Sequence, residues 1–337
     1  MHELALPLLI GLIVVALAFD YLNGLHDAAN SIATVVATRL LSPVQAVAFA
    51  AVFNFAAYFL TLVFPSLHAV ADTIGKGLVD KDVITPAVIF GALVGAMFWN
   101  VLTWMKGIPS SSSHALIGGL IGSGMAHAGV TGIHWTGFNK TLLAIVLSPM
   151  LGMALAMLVM LATSWMFHRA TARGAERGFR GLHLVSSAAY SLSHGLNDAQ
   201  KTMGVITVLL YSTGHLAGPF AVPHWVAISC YIAIALGTMT GGWKIIETMG
   251  SRITKLSQHQ GFSSSLSGSI VLFGASWLGI PVSTTHTITG AIIGAGTARR
   301  ASAVRWGVAR NVVTAWIITI PASAAVGALF YWLTTFF

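Results

Sequence analysis

Asn23-Gly24-Leu25-His26-Asp27-Ala28-Ala29-Asn30-Ser31 returns in altered form as His194-Gly195-Leu196-Asn197-Asp198-Ala199-Gln200-Lys201-Thr202, with Asp198 lying 171 positions after Asp27. Each copy sets a carboxylate and an amide into sequence that otherwise reads as lipid-soluble. A charge at mid-membrane depth costs about 2.5–3.5 kcal/mol on insertion scales, so two carboxylates in matching places ask for a functional account.

The surroundings show how far out of place they are. Of 337 residues, 56% are hydrophobic and 8% charged, and the mean hydropathy is +0.82; a soluble domain carries roughly 25% charged residues. The chain reads as an integral membrane protein built of spans throughout. Residues 4–19 loosely imitate a secretion signal, but no Lys or Arg precedes the apolar run and the first motif follows at once, so a retained first helix is expected. A single cysteine, Cys230, excludes an internal disulfide and a Cys-based metal site. The net charge of +8 does not indicate a nucleic-acid partner, because its carriers sit between apolar runs: Arg169, Arg173, Arg177 and Arg180, then Lys244, Arg252 and Lys255, then Arg299, Arg300, Arg305 and Arg310. That is the positive-inside pattern of a polytopic protein.

Apolar stretches of about 20 residues, the length of a crossing helix, lie at 41–64, 82–106, 140–168, 219–242 and 306–335. Residues 5–38 and 182–210 are longer, each expected to be interrupted at its Gly-Leu-x-Asp-Ala motif. Residues 109–127 and 283–299 are shorter and rich in Gly, Ser and Thr, and 256–278 is a weaker span with Ser263, Ser264 and Ser265 near its start. The expected fold is an all-α polytopic membrane protein of roughly 10–12 transmembrane helices, broken and re-entrant segments included.

A second pair of motifs carries nearly the same offset. Gly107-Ile108-Pro109-Ser110-Ser111-Ser112-Ser113-His114-Ala115-Leu116-Ile117-Gly118 faces Gly279-Ile280-Pro281-Val282-Ser283-Thr284-Thr285-His286-Thr287-Ile288-Thr289-Gly290, and Asn311 and Pro321 answer Asn139 and Pro149 at 172. The chain is an internal duplication, with a first repeat at 1–168, a short cytoplasmic linker at 169–181 and a second repeat at 182–337. Loop charges argue that the halves are inverted. Residues 72–82 (Asp72, Lys76, Asp80, Lys81, Asp82) are net negative, whereas 244–255 are net positive; 127–138 hold no Lys or Arg, whereas 299–310 hold four Arg. This sets 169–180, 244–255 and 299–310 in the cytoplasm and both termini outside, the inverted-repeat arrangement of many secondary transporters.

The acids sort by surroundings. Glu3, Asp72, Asp80, Asp82, Glu176 and Glu247 fall in or near loops, while Asp20, Asp27 and Asp198 lie inside apolar segments. Asp20 faces Ser191 in the other repeat, and for it a role tying helices together stands level with a functional one. For the repeat-related pair Asp27 and Asp198, coordination of Na⁺ or a proton is favoured, with Asn30 and Asn197 completing an oxygen shell. Pro109 and the serines after it open a helix whose N-terminal N–H groups and hydroxyls suit an anion; Pro281 to Thr285 do the same in the other half. Two such ends meeting at mid-membrane would match a tetrahedral oxyanion, though Ser and Thr at one end alone more simply cap or pack helices. His114 and His286 orient hydroxyls, bind a proton or hydrogen-bond in the bundle. His26 and His194 stand beside the acids at non-equivalent positions, which weakens a shared role, and no helical His spacing supports a resident metal. Lys201, counterpart of Asn30, pairs either with Asp198 or with the substrate. An intramembrane serine hydrolase would need one activated Ser rather than two symmetric clusters, and no Gly-x-Ser-x-Gly turn occurs. A channel is the further alternative.

The four motifs together resemble the inorganic phosphate transporters of the Pit (PiT) family, and they span both halves. The resemblance implies a symporter carrying phosphate into the cytoplasm with Na⁺ or H⁺ and no resident cofactor, in the inner membrane. It assigns phosphate contacts to Ser110, Ser111, Ser112, Ser113, Asn197, Ser283, Thr284 and Thr285, and cation coupling to Asp27, Asn30 and Asp198. His26, where many Na⁺-coupled members have Asn, is similar to bacterial members that use protons and often take phosphate with a divalent metal. The short 169–183 linker lacks the large regulatory loop of some members. A sulfate permease of the same fold, and a homodimer, stay open.

Overall fold

The computed structural model describes residues 5–80 and 82–336; Glu3 and Lys81, used in the charge argument above, lie outside them. Among the described residues the chain forms twelve α-helices in two sets of six. The first set is α1 (Leu6–Ala37), α2 (Pro43–Val63), α3 (Ala69–Lys76), α4 (Pro86–Lys106), α5 (Ser112–Ala128) and α6 (Trp135–Met166). The second is α7 (Ala172–Ser212), α8 (His224–Thr240), α9 (Trp243–Glu247), α10 (Gln258–Trp277), α11 (Thr284–Arg299) and α12 (Trp306–Thr334).

Local signals recur at the repeat offset. Thr85 and Ser257 each accept the N–H three residues on and so start α4 and α10. Gly107 and Gly279 follow those helices with φ of 64° and 66°, a conformation that glycine adopts without strain. Ser111 and Ser283 then cap α5 and α11. Pro109 and Pro281 therefore precede the helices instead of opening them, because the N-cap serines, whose side chains can accept a first-turn N–H, set the start. Residues 172–181, read as part of a linker, form the first turns of α7.

The expected interruptions at the two Gly-Leu-x-Asp-Ala motifs do not occur: α1 and α7 run unbroken through them. Gly24 and Gly195 serve a different purpose. A Cβ on Gly24 would lie 2.2 Å from the carbonyl oxygen of Ile234, and one on Gly195 2.5 Å from that of Asn54. The glycines let α8 press on α1 and α2 press on α7, backbone to backbone. The breaks fall elsewhere, at 107–111, at 278–283 and at the 68° bend between α8 and the α9 segment.

Helices pair across the halves. Besides α1 with α8 and α2 with α7, α5 packs on α12 and α11 on α6. By length and composition five helices (α1, α2, α4, α6, α12) can cross a membrane, or six with the bent α8–α9 pair. The others fall short because α5, α10, α11 and the motif-bearing part of α7 are rich in Gly, Ser and Thr and lie inside the bundle, where protein groups rather than lipid satisfy their polarity. Eight of the ten tryptophans are exposed near helix ends, as in an interfacial aromatic belt. The two that are not, Trp99 and Trp316, reach the serine turn described next.

Candidate functional site

The first turns of α5 and α11 meet the middles of α1 and α7. Every sequence-predicted site residue is buried, none more than 3% exposed, and all but Asn197 belong to this meeting place or the turn leading into it. Helix α1 supplies Asp27 and Asn30. The Asn30 amide donates to Thr285 Oγ1 at 2.9 Å and Thr284 Oγ1 at 3.2 Å. The Thr284 hydroxyl reaches Asp198 Oδ2 at 3.1 Å and Asp27 Oδ2 at 3.4 Å, and Thr285 Oγ1 lies 3.4 Å from Asp27 Oδ1. One threonine thus joins the two repeat-related carboxylates.

Helix α7 brings Asp198 and Lys201. The Lys201 ammonium donates to Asp198, to the hydroxyl of Ser113 and, at 3.0 Å, to the carbonyl of Val282. It thereby ties the start of α5 to the turn before α11. Both first turns offer donors. The Ser111 and Ser283 hydroxyls accept the N–H of His114 and His286, and the remaining first-turn N–H groups, those of Ser112, Ser113, Thr284 and Thr285, have no intrahelical acceptor. Such an end favours an anion.

The four serines at the start of α5 have four different surroundings. Ser110 Oγ accepts from Trp99 Nε1 at 2.9 Å and lies 2.9 Å from Thr319 Oγ1; Ser111 caps; Ser113 meets Lys201; the Ser112 hydroxyl is buried without a partner among the described residues. Asn197 is not bonded to these turns: its amide donates to Ser276 on α10 at 3.1 Å, and its carbonyl oxygen has no partner among the described residues.

The histidines are closer to the acids than their sequence positions suggest. His26 Nδ1 lies 2.8 Å from Asp27 Oδ1, with Nε2 3.0 Å from Thr103 Oγ1. His194 Nε2 lies 3.2 Å from Asp198 Oδ2, and its Nδ1 3.1 Å from Asn54 Oδ1. One uses the adjacent residue and the other the next helical turn, which hides the likeness in an alignment of the motifs. Asp27, His194 and Asp198 can each offer a ligand atom within 4.8 Å of the others, a donor set able to hold a metal ion. The His114 and His286 rings sit edge to face at 4.3 Å, and His286 stacks on Trp316 at 3.7 Å. Tyr190, which the motifs did not single out, donates to the Thr284 carbonyl at 3.0 Å; Trp316 Nε1 donates to that of Pro109 at 3.2 Å. Neither Tyr190 nor Trp316 lies in a repeated polar motif, so the sequence carried no signal for them. Asp20, the intramembrane acid with no acidic counterpart in the other repeat, accepts from Thr202 at 2.9 Å and so links α1 to α7.

Residues 23–327 match the phosphate transporter family. A probable low-affinity inorganic phosphate transporter of Rhizobium meliloti is 60% identical over 97% of both chains. The Bacillus subtilis protein of the same description is 40% identical over 98% of both. Among solved structures, the sodium-dependent phosphate transporter superposes with a TM-score of 0.86 at 26% identity, covering 98% of this chain and 100% of that one.

Proposed function

The chain belongs to the phosphate transporter family, a family of transporters and not of enzymes, and from that premise we propose that this multi-pass membrane protein imports inorganic phosphate with a coupled cation, H⁺ or Na⁺. The observation that carries the reading is the meeting of two hydroxyl-rich helix N-termini with two repeat-related carboxylates at one buried place. The helix ends supply donors for a tetrahedral anion. Asp27 and Asp198 repel that anion until a cation neutralises them, which couples the two. Cargo reaches residues so fully buried only when the exchanged helix pairs move, as alternating access requires.

The energetics demand coupling. Against an inside-negative potential of ~100 mV each inward negative charge costs about 2.3 kcal/mol, and a dianion twice that. Either cations travel with it, or it travels as a neutral metal complex. The carboxylate–imidazole–carboxylate set of Asp27, His194 and Asp198 favours the second as an alternative cargo. The arginine-rich loops at 299–310 and the start of α7 face the cytoplasm of a cell's inner membrane, with the termini outside.

The test is uptake of radiolabelled phosphate by proteoliposomes under a Na⁺ or a proton gradient imposed separately. We expect accumulation under one of them and its loss in Asp27→Asn; an Asp27→Asn protein with full coupled uptake would refute the assignment. Phosphate-dependent uptake of Mn²⁺ would select the metal complex, and stronger competition by sulfate than by phosphate would select a sulfate permease.

A further inference from the structure

Positions 30 and 201 are where a neutral side chain in one motif copy becomes a fixed positive charge in the other. The Lys201 ammonium is 1% exposed and is held by three oxygens from three elements: the Asp198 carboxylate, the Ser113 hydroxyl and the Val282 carbonyl. An ammonium in an oxygen cage does what a small monovalent cation would do there. The repeat offset carries each ligand to a mirror residue, Asp198 to Asp27, Ser113 to Thr285 and Val282 to Ser110.

Two of the three mirror residues, Asp27 and Thr285, stand together. Thr285 Oγ1 lies 3.4 Å from Asp27 Oδ1, as Ser113 and Asp198 share Lys201. Asn30, standing where Lys201 stands, donates to Thr285 at 2.9 Å, and its own amide oxygen is buried with no partner among the described residues. An unsatisfied buried oxygen on the side chain that stands in the place of Lys201 is a ligand open to a cation.

We propose that Lys201 is a tethered substitute for one coupling cation, and that its mirror image at Asp27, Asn30 and Thr285 is the exchangeable monovalent site. The proposal deepens the coupled-transport reading and rests on it for its meaning. Lys201 returns with the protein in every cycle and so moves no net charge per turnover. It keeps Asp198 neutralised in every state, which narrows the coupling proposed above from two carboxylates to one and leaves Asp27 as the carboxylate whose exchangeable cation gates the anion. The duplicated site thus couples through one half.

Restoring the mirror residue tests this. K201N, as the full chain in detergent, is expected to bind one more Na⁺ than the parent in equilibrium binding of radiolabelled Na⁺. In proteoliposomes the Hill slope of phosphate uptake against Na⁺ is expected to rise by about one. K201M, which adds no oxygen, is expected to gain neither. A folded K201N that binds no more Na⁺ than the parent overturns the proposal. So does failure of both K201N and K201Q to fold even at high Na⁺, which would make Lys201 a strut. A parent chain that accumulates no phosphate under any gradient refutes the transport reading instead, while the Na⁺ count still reads Lys201 by itself.

Discussion

Helices α5 and α11 touch α12 and α6, yet the two pairs are opposites. The inner helices are 17 and 16 residues long and buried along most of their length, with a glycine, serine or threonine every few positions. The outer ones are 29 and 32 residues, apolar over most of their surface, with only a handful of buried residues each. In water the apolar helices would be the core. Here lipid is as apolar as Leu, so the hydrophobic effect gives the outer helices no reason to go inside, and close backbone packing together with polar satisfaction decides what does. Hydropathy therefore picks out α6 and α12 as crossing helices and passes over α5 and α11, whose first turns form the site.

The sharpest way to break the contrast is to deny the inner helices their close approach. A Cβ on Gly122 would stand 2.0 Å from the carbonyl oxygen of Ala324, and one on Gly294 2.3 Å from that of Met153. Gly294 answers Gly122 at an offset of 172 and Ala324 answers Met153 at 171, so the two contacts are near-mirror images, backbone against backbone, and neither side can yield. Gly122→Leu and Gly294→Leu are each expected to lose about 3 kcal/mol or more, read as loss of the monodisperse peak in detergent gel filtration. A normal peak for either would mean that the helix pair can separate without cost.

Next come the caps. Ser111→Ala and Ser283→Ala each remove a hydroxyl that accepts a first-turn N–H at 3.3 and 3.1 Å, worth about 1 kcal/mol of helix stability. Because both turns face one site, both variants are expected to slow phosphate uptake to a similar degree. Unequal slowing would show that one N-terminus carries the anion. Trp316→Phe keeps the ring against His286 but loses the donor to Pro109, at about 1 kcal/mol for the hydrogen bond; thermal unfolding in detergent would register it.

The same contrast explains what could be read in advance. The four motifs and their offset survive in the sequence because they are chemistry, fixed at numbered positions. Asp27, Asn30, Asp198, Ser113, Thr284 and Thr285 come together as their types implied. The course of α1 and α7 through their motifs was not legible, since Gly24 and Gly195 look like breaks until Ile234 and Asn54 lie against them. The pairing of α5 with α12 and α11 with α6 is a tertiary exchange with no local signature. Tyr190 and Trp99 act through contacts with residues 94 and 11 positions away, which no short motif encodes.

The smallest expected effect lies on the outer face of α6, where Leu158 is 61% exposed and Met160, two residues on, is 7% exposed against α11. Met160→Ala opens space between helices, and about 2 kcal/mol is expected to go with it. Leu158→Ala trades one lipid-facing apolar side chain for another and is expected to change stability by less than about 0.5 kcal/mol. The two substitutions delete similar volumes two positions apart on one helix, so their difference isolates what each side touches. Thermal unfolding in lipid nanodiscs measures both. A Leu158→Ala loss approaching that of Met160→Ala would mean that protein, not lipid, covers this face, and the covering surface to look for would be a second copy of the chain.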